Sequence, residues 1–298
     1  MRFEELSKQV ADVAAKLLTS GDVDCVIGFT ESDVHGGGIP VIIREPSEAG
    51  RLVWNDRCVP NLSPYVQGLD GKAAVIAKPC DVRALTSLVA ENQINRQDIH
   101  IVGMDCPCMK DPNGQILRAC RDCKIHTPPQ FDSHISDEAV QADQALAGDK
   151  GIEADVSTLQ NAGSEIELQN NLERFTKEME KCILCFSCRQ AGYGCYCQTC
   201  FMDRGIPDWQ PTNPDLGAKM LYHLGRAMHL AGRCVECGAC ENTCASGVDV
   251  RYLIREVTGF VKELYDYEAG LDPEKMPAML TYRSDDKEVG FLGGGAHG

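Results

Sequence analysis

The stretch Cys182-Ile-Leu-Cys185-Phe-Ser-Cys188 is the first of two cysteine runs that determine the fold of the second half of the chain. The second run, Cys234-Val-Glu-Cys237-Gly-Ala-Cys240-Glu-Asn-Thr-Cys244, repeats this spacing and adds a fourth cysteine. Three thiolates separated by two residues each can surround one face of a four-iron cube, and in two-cluster ferredoxins the fourth cysteine ligates the other cube. The two runs therefore predict a domain with two 4Fe-4S clusters.

The same spacing assigns ligands to the two clusters. The first cluster is predicted to take Cys182, Cys185, Cys188 and Cys244, and the second takes Cys234, Cys237 and Cys240. The fourth ligand of the second cluster falls by spacing on Gly192, so a nearby cysteine must replace it. We favour Cys195 as the nearest, with Cys197 or Cys200 as alternatives. Structural zinc also uses cysteine pairs separated by two residues, but two interlocked triplets favour iron–sulfur clusters.

A further set of cysteines lies in the first half of the chain: Cys80, Cys106, Cys120 and Cys123. Cys80 ends one predicted strand and Cys106 follows the next, so both are expected at the carboxyl edge of a parallel sheet, where ligands usually collect. With the other two folded back onto this edge, four thiolates converge on a third 4Fe-4S cluster. Cys108 competes with Cys106 as a ligand. Cys25 and Cys58 are predicted to be buried structural residues.

Apolar periodicity predicts an α/β fold for the first half. Apolar residues at spacings of three and four mark one face of a helix: Phe3, Leu6, Val10, Val13 and Leu17. Strands are predicted over 22–30, 39–44, 73–78 and 100–104, with a helix over 81–92. The order strand, helix, strand indicates a βαβ unit with parallel pairing.

The second half is predicted to be helical, with helices over 165–181, 214–231 and 249–267 and the cysteines at the turns. We therefore predict four parts: an α/β domain over 1–130 with one cluster site, a linker over 131–164, a helical two-cluster ferredoxin domain over 165–270, and an extended C-terminal arm over 271–298. The linker and the arm lack apolar periodicity and are rich in polar residues, proline or glycine.

The composition argues against several classes of protein. The chain has 298 residues, 17 cysteines and a formal net charge of −15, without the basic cluster expected of a nucleic-acid binder. Apolar runs such as Ala73 to Ala77 are too short to span a membrane. The first residues lack a signal-peptide core, which predicts a cytoplasmic location and cysteines that bind metal rather than form disulfides. The acidity predicts partners with basic docking surfaces.

The motifs of the first half resemble a known family. Lys78-Pro79-Cys80-Asp81, Gly103-Met104-Asp105-Cys106 and Cys120-Arg-Asp-Cys123 are similar to motifs in the coenzyme F420 hydrogenase and dehydrogenase beta subunits, which include those of formate dehydrogenases. The remaining cysteine motifs, together with Tyr267-Glu-Ala-Gly-Leu-Asp-Pro273, resemble a subgroup with a C-terminal two-cluster ferredoxin domain. The resemblance implies that Cys80, Cys106, Cys120 and Cys123 bind a 4Fe-4S cluster close to an FAD.

Three departures from the family accompany this resemblance. The subgroup has a cysteine at the position of Gly192 and a proline at that of Ala245. The family also continues after Cys123 with a glycine-rich, FAD-binding segment, whereas residues 125–148 are polar here. The turn Gly36-Gly37-Gly38 is then the candidate for close approach to the FAD diphosphate, and a merely permissive turn is the alternative.

No arrangement typical of bond-making catalysis occurs, and His223 and His229 are predicted to pack or to support ligands rather than bind metal. The predicted function is therefore electron transfer through three 4Fe-4S clusters, in a subunit of a multi-subunit anaerobic oxidoreductase of the formate dehydrogenase, hydrogenase or heterodisulfide-reductase type. Its partners would be a catalytic subunit and further iron–sulfur or flavin subunits. One alternative is an FAD-containing subunit that itself reduces a deazaflavin or a nicotinamide. The other is a redox sensor that uses Cys195, Cys197 and Cys200 as a switch.

Overall fold

The computed structural model describes residues 2–32, 37–121, 123–141, 165–203 and 214–282. Gly36 lies outside the described residues, as do residues 142–164 of the predicted linker and residues 283–298 of the predicted arm. Within the described ranges, no helix is long and apolar enough to cross a membrane.

A mixed five-stranded sheet organises the first half. The strands are β1 (Cys25–Glu31), β2 (Gly38–Ile43), β3 (Ala73–Ala77), β4 (Ile99–Met104) and β5 (Ser133–Ile135), in the spatial order β2-β1-β3-β4-β5. Only β1 and β2 pair in antiparallel fashion, and the other three pairs are parallel. The α/β prediction for the first half is confirmed by this sheet and by the helices α1 (Arg2–Ser20) and α2 (Pro79–Ala90).

The apolar pattern explains why these segments form the core. Helix α1 buries Leu6, Val10, Ala14 and Leu17, which recur at helical spacing on one face. Strand β3 is buried at all five residues, as expected of a central parallel strand covered on both faces. Cys25 and Cys58 lie in this core, 1 % and 0 % exposed, in agreement with their predicted structural role.

Strand β5 lies inside the segment predicted to be a linker. It has three residues, two of them polar, so its sequence carries no apolar alternation. Its position depends on Asp132, whose carboxylate accepts a hydrogen bond from the Ile101 amide of β4 at 2.7 Å and pairs with Arg96 at 2.7 Å. Tertiary contacts rather than local pattern therefore add this strand.

The second half is built from helices. A short helix, α3 (Arg118–Arg121), precedes them, followed by α4 (Glu165–Lys181), α5 (Ser187–Gln190), α6 (Leu216–His229), α7 (Ala239–Asn242) and α8 (Val250–Tyr265). The three long helices agree with the predicted segments. Their start points have clear causes, since the Asp215 carboxylate caps α6 through the Ala218 amide at 2.8 Å and Asp249 caps α8 through the Tyr252 amide at 3.3 Å.

Segments between and after the helices of the second half pack directly against α2. Arg83 of α2 donates to the Ala269 carbonyl at 2.8 Å and pairs with Glu268 at 3.1 Å. Glu91, at the end of α2, pairs with Arg233 at 2.9 Å and accepts a hydrogen bond from the Tyr196 hydroxyl. These contacts bring the start of α2, with Cys80, close to the cysteine runs of the second half.

Candidate functional site

The two cysteine loops of the second half share one backbone conformation. Leu184 and Phe186 have φ values of 53° and 60°, and their counterparts Glu236 and Gly238 have φ values of 57° and 74°. In each loop the amide two residues after the first cysteine donates to that sulfur at 3.3 Å. A four-residue helix, α5 or α7, follows in both. The loops are therefore a structural repeat that presents its thiols alike, with amides that stabilise negative sulfur.

The first predicted ligand set converges on one cavity. Cys182, Cys185 and Cys188 line it together with Cys244 from the other loop, and it has about 330 Å³ free of protein atoms, part of it open to solvent. Its other walls are largely apolar and include Leu184, Val248 and Val250. A thiol-lined cavity with apolar walls suits a cluster that is shielded from water.

Helix α6 closes the first cavity with polar groups that touch the thiols. The His223 Nε2 lies 3.3 Å from the Cys182 sulfur, and the Tyr222 hydroxyl lies 3.5 Å from the Cys188 sulfur. Burial lowers the pKa of His223 to about 4, and the cation of Arg226 adds to this effect, so the imidazole is neutral at pH 7. The prediction that His223 supports ligands agrees with this contact. His229 instead packs edge-on against Phe201.

Two cysteines of the second predicted ligand set, Cys195 and Cys240, lie beside the cation of Arg226. Burial raises the pKa of the Cys240 thiol to about 11, and the Arg226 guanidinium opposes this rise. Burial likewise raises the pKa of the Cys195 thiol, again opposed by Arg226. Of the other candidates, Cys197 is exposed and Cys200 faces Arg189. Arg226 therefore lies beside both Cys195 and Cys240 of the predicted second set.

The four cysteines of the first half also line one cavity, of about 540 Å³. Cys80 belongs to the first turn of α2, Cys106 follows β4, and Cys120 and Cys123 come from α3 and the segment after it. Burial raises the pKa of all four thiols. Cys108 does not line this cavity, because its sulfur points to the Cys120 carbonyl at 3.5 Å.

A buried ion pair supports the cavity of the first half. Lys78 is 1 % exposed, and its ammonium lies 2.9 Å from the Asp81 carboxylate and 2.8 Å from the Pro60 carbonyl. Burial works to lower the pKa of Lys78, but Asp81 and the neighbouring thiols raise it, so the group stays charged. The cation in turn lowers the pKa of Cys80, Cys106 and Cys120 against the larger effect of burial.

Cys237 connects two of the predicted sites. It belongs to the second loop, yet it lines the cavity of the first half beside Val235 and Glu236. Spacing could not reveal this double placement, because it depends on how the halves pack. Spacing also missed Arg226, although its position three and four residues after His223 and Tyr222 marks the same face of α6. No three His, Cys, Asp or Glu side chains of the described residues are arranged to hold a single metal ion.

Gly37 and Gly38 line a cavity that encloses about 1590 Å³ free of protein atoms, part of it open to solvent. Its far wall is formed by Gln190 and Ala191 after the first cysteine loop and by Ala239, Asn242 and Thr243 after the second. A Cβ at Gly38 would lie 2.7 Å from the Cys58 sulfur, and one at Gly37 would lie 3.1 Å from the Arg57 carbonyl. The close packing of residues 57 and 58 therefore accounts for both glycines.

Comparison with known proteins gives relatives but no family model that matches. The beta subunit of F420-dependent formate dehydrogenase from Methanocaldococcus jannaschii is 20 % identical, in an alignment that covers 95 % of this chain and 97 % of the relative. The beta subunit of F420-dependent formate dehydrogenase 1 from Methanococcus maripaludis is 22 % identical, with 88 % and 90 % covered. Over most of its length, this chain is therefore similar to proteins named as beta subunits of F420-dependent formate dehydrogenases, which supports the family resemblance of its cysteine motifs.

Proposed function

We propose that the chain is an electron-transfer subunit of a multi-subunit oxidoreductase of the formate dehydrogenase kind, with three 4Fe-4S clusters. The observation that carries the proposal is the first cavity, where Cys182, Cys185 and Cys188 meet Cys244 from a separate motif. Interlocked ligation of this kind is the arrangement of two-cluster ferredoxins. The two relatives, named as formate dehydrogenase beta subunits, support the same class of complex.

When bound, a 4Fe-4S cluster supplies a one-electron carrier. The residues of this chain would hold it, shield it and balance its charge. The amides of Leu184, Glu236 and Val248 each donate to a cysteine sulfur at 3.3 Å, which favours the thiolate form. Tyr222 and His223 add contacts to the Cys188 and Cys182 sulfurs without adding charge at neutral pH.

The shared wall at Cys237 supports a relay rather than three separate sites. The second loop lines the cavity that also contains Cys80, Cys106, Cys120 and Cys123, so a group held there would be next to one held by the second loop. Arg226 lies between the second loop and Cys188 of the first. The candidate order is therefore the cavity of the first half, the second loop and the first loop.

The cavity beside Gly37 and Gly38 favours a second candidate function, in which the subunit holds FAD and itself reduces a deazaflavin or a nicotinamide. The cavity is as large as ordinary small-molecule sites and reaches residues of both cysteine loops. Lys110 at its rim pairs with Asp56 at 2.8 Å, which holds a cation near the glycines. A flavin there would couple two-electron chemistry to single-electron carriers.

One measurement tests both candidates: iron, sulfide and extractable flavin per chain after anaerobic purification of the full chain with its partners. Three clusters require about twelve iron atoms and as many sulfides. An added FAD would support the second candidate, and its absence would favour a relay. Zinc in place of iron, or iron without acid-labile sulfide, would contradict the proposal.

A further inference from the structure

Arg226 is a buried cation between the two cysteine loops. It is 4 % exposed, and its Nη2 donates to the Cys188 carbonyl of the first loop at 3.0 Å. Its Nε and Nη1 are buried and have no hydrogen-bond partner among the described residues. Burial of a charge without a hydrogen-bonded counter-charge is costly, so these two groups point to a negative partner at this place.

The groups that face the guanidinium are thiols of the second ligand set. Cys195 and Cys240 both interact with it, and the Cys195 amide donates to the Gly192 carbonyl at 3.0 Å, which places Cys195 next to position 192. No carboxylate of the described residues forms an ion pair with Arg226. Among the described residues, the negative partner is therefore sulfur, either as thiolate or as part of a thiolate-bound group.

The two loops differ at their fourth cysteine position, and the Arg226 side chain occupies the space of the missing cysteine. Cys244 is the fourth residue after Cys240, and the same step from Cys188 leads to Gly192. A Cβ at Gly192 would lie 2.9 Å from the Arg226 Nη2 and 3.2 Å from the Cys188 carbonyl oxygen. The guanidinium thus takes space that a cysteine side chain at position 192 would need.

We propose that Arg226 is a positioning residue for the group held by Cys234, Cys237 and Cys240. Its guanidinium fills the space that a cysteine side chain at position 192 would need, and it holds Cys195 in position as the replacement ligand of that group. This inference rests on the proposed iron–sulfur function. A fixed cation beside a cluster favours the more negative, reduced state and so raises its reduction potential. Arg226 also donates to the Cys188 carbonyl of the first loop, so the cluster nearer to the guanidinium would respond more strongly to loss of the cation.

The first test replaces the cation. Arg226→Met and Arg226→Lys are compared with wild type in redox titrations of the full chain, followed by the EPR signals of the reduced clusters. Arg251→Met is the matched control, since Arg251 is 6 % exposed but pairs with the Glu241 carboxylate at 3.1 Å. We expect a lower midpoint potential for one cluster in Arg226→Met, a smaller shift in Arg226→Lys, and none in Arg251→Met. Unchanged potentials in Arg226→Met would overturn the inference.

The second test moves the proposed fourth thiol ligand from position 195 to position 192. It remains informative if Arg226→Met fails to fold. Cys195→Ser is expected to lose one cluster, about four of twelve iron atoms. Adding Gly192→Cys and Arg226→Ala to Cys195→Ser provides a thiol at position 192 and the space for it, so we expect the lost iron to return. Full iron in Cys195→Ser, or no recovery in the triple variant, would refute the assignment. Wild-type chain without iron would instead refute the proposed function itself.

Discussion

The two cysteine loops, residues 182–192 and 234–244, have the same backbone and different surroundings. Both place their third and fifth loop residues in the left-handed region and donate an amide to the first sulfur. At the fifth residue, however, Phe186 packs edge-on against Tyr222 with ring centroids 5.1 Å apart, whereas Gly238 lies against Ala119 of the first half. Both loops present their thiols through the same backbone conformation. Their side chains differ because each loop packs against a different neighbouring element.

Replacing the third cysteine of either loop is expected to cause the greatest change, the loss of one cluster. Cys188→Ser and Cys240→Ser should each lose about four iron atoms, since one missing thiolate leaves a cube without a ligand. Iron and sulfide analysis of the anaerobic chain measures this. Cys197→Ser is the matched control, because Cys197 is exposed, and it should keep all its iron. Iron loss in that control would favour Cys197 as the fourth ligand of the second cluster.

A substitution at Gly238 tests whether the different surroundings of Phe186 and Gly238 affect stability. Gly238→Ala should destabilise the fold by about 1–2 kcal/mol for a left-handed alanine and by about 1–3 kcal/mol more for overpacking, because the new Cβ would lie 2.5 Å from the Ala119 Cβ. Gly21→Ala shares the positive φ but meets nothing within 4 Å, so it should show only the first cost. Anaerobic denaturation curves give both values. Equal losses would mean that the contact with Ala119 has no energetic weight.

A smaller loss of stability is expected from a substitution at Gly192, the position where the second loop has Cys244 and the first loop has no cysteine. Gly192→Ala should cost about 1–3 kcal/mol, because the added methyl group collides with Arg226 and the Cys188 carbonyl. Gly50→Ala, with nothing within 4 Å of the new Cβ, is the control and should be close to neutral. Arg226→Met in the same background should recover part of the loss, as a double-mutant cycle would reveal. Additive losses would argue against the steric conflict.

The smallest effect concerns His223, which is close to the first loop alone. Its pKa is lowered by burial to about 4, below the ordinary value of about 6.5, so the unfolded chain takes up a proton before the folded chain does. Stability should therefore fall as the pH drops from about 6.5 toward 4. His223→Gln should cost about 1 kcal/mol at pH 7 through the lost contact with Cys182 and should reduce this pH dependence. A pH dependence equal to that of wild type would exclude His223 as its source.

Local pattern in the sequence predicted the long helices, the first four strands and the cysteines that line two cavities. Thiol spacing is a local property, so the sequence could pick out these cysteines, and it favoured Cys106, which lines the cavity of the first half, over Cys108, which is not part of its lining. It could not find Arg226, Lys78 or the second role of Cys237, since these depend on contacts between distant segments. A cavity lies beside Gly37 and Gly38 of the predicted FAD site. The absence of side chains at these two positions is explained by the close packing of Arg57 and Cys58.

The position of Cys237 has a consequence for biogenesis. Val235, Glu236 and Cys237 of the second half complete the wall of the cavity that contains Cys80 and Cys106. The first half alone would leave that cavity open on one side, so its four thiols do not form a self-contained cofactor module. Under the proposed function, docking of the helical half would therefore complete the enclosure of a cluster held by these four thiols, which would make maturation of the subunit an ordered assembly.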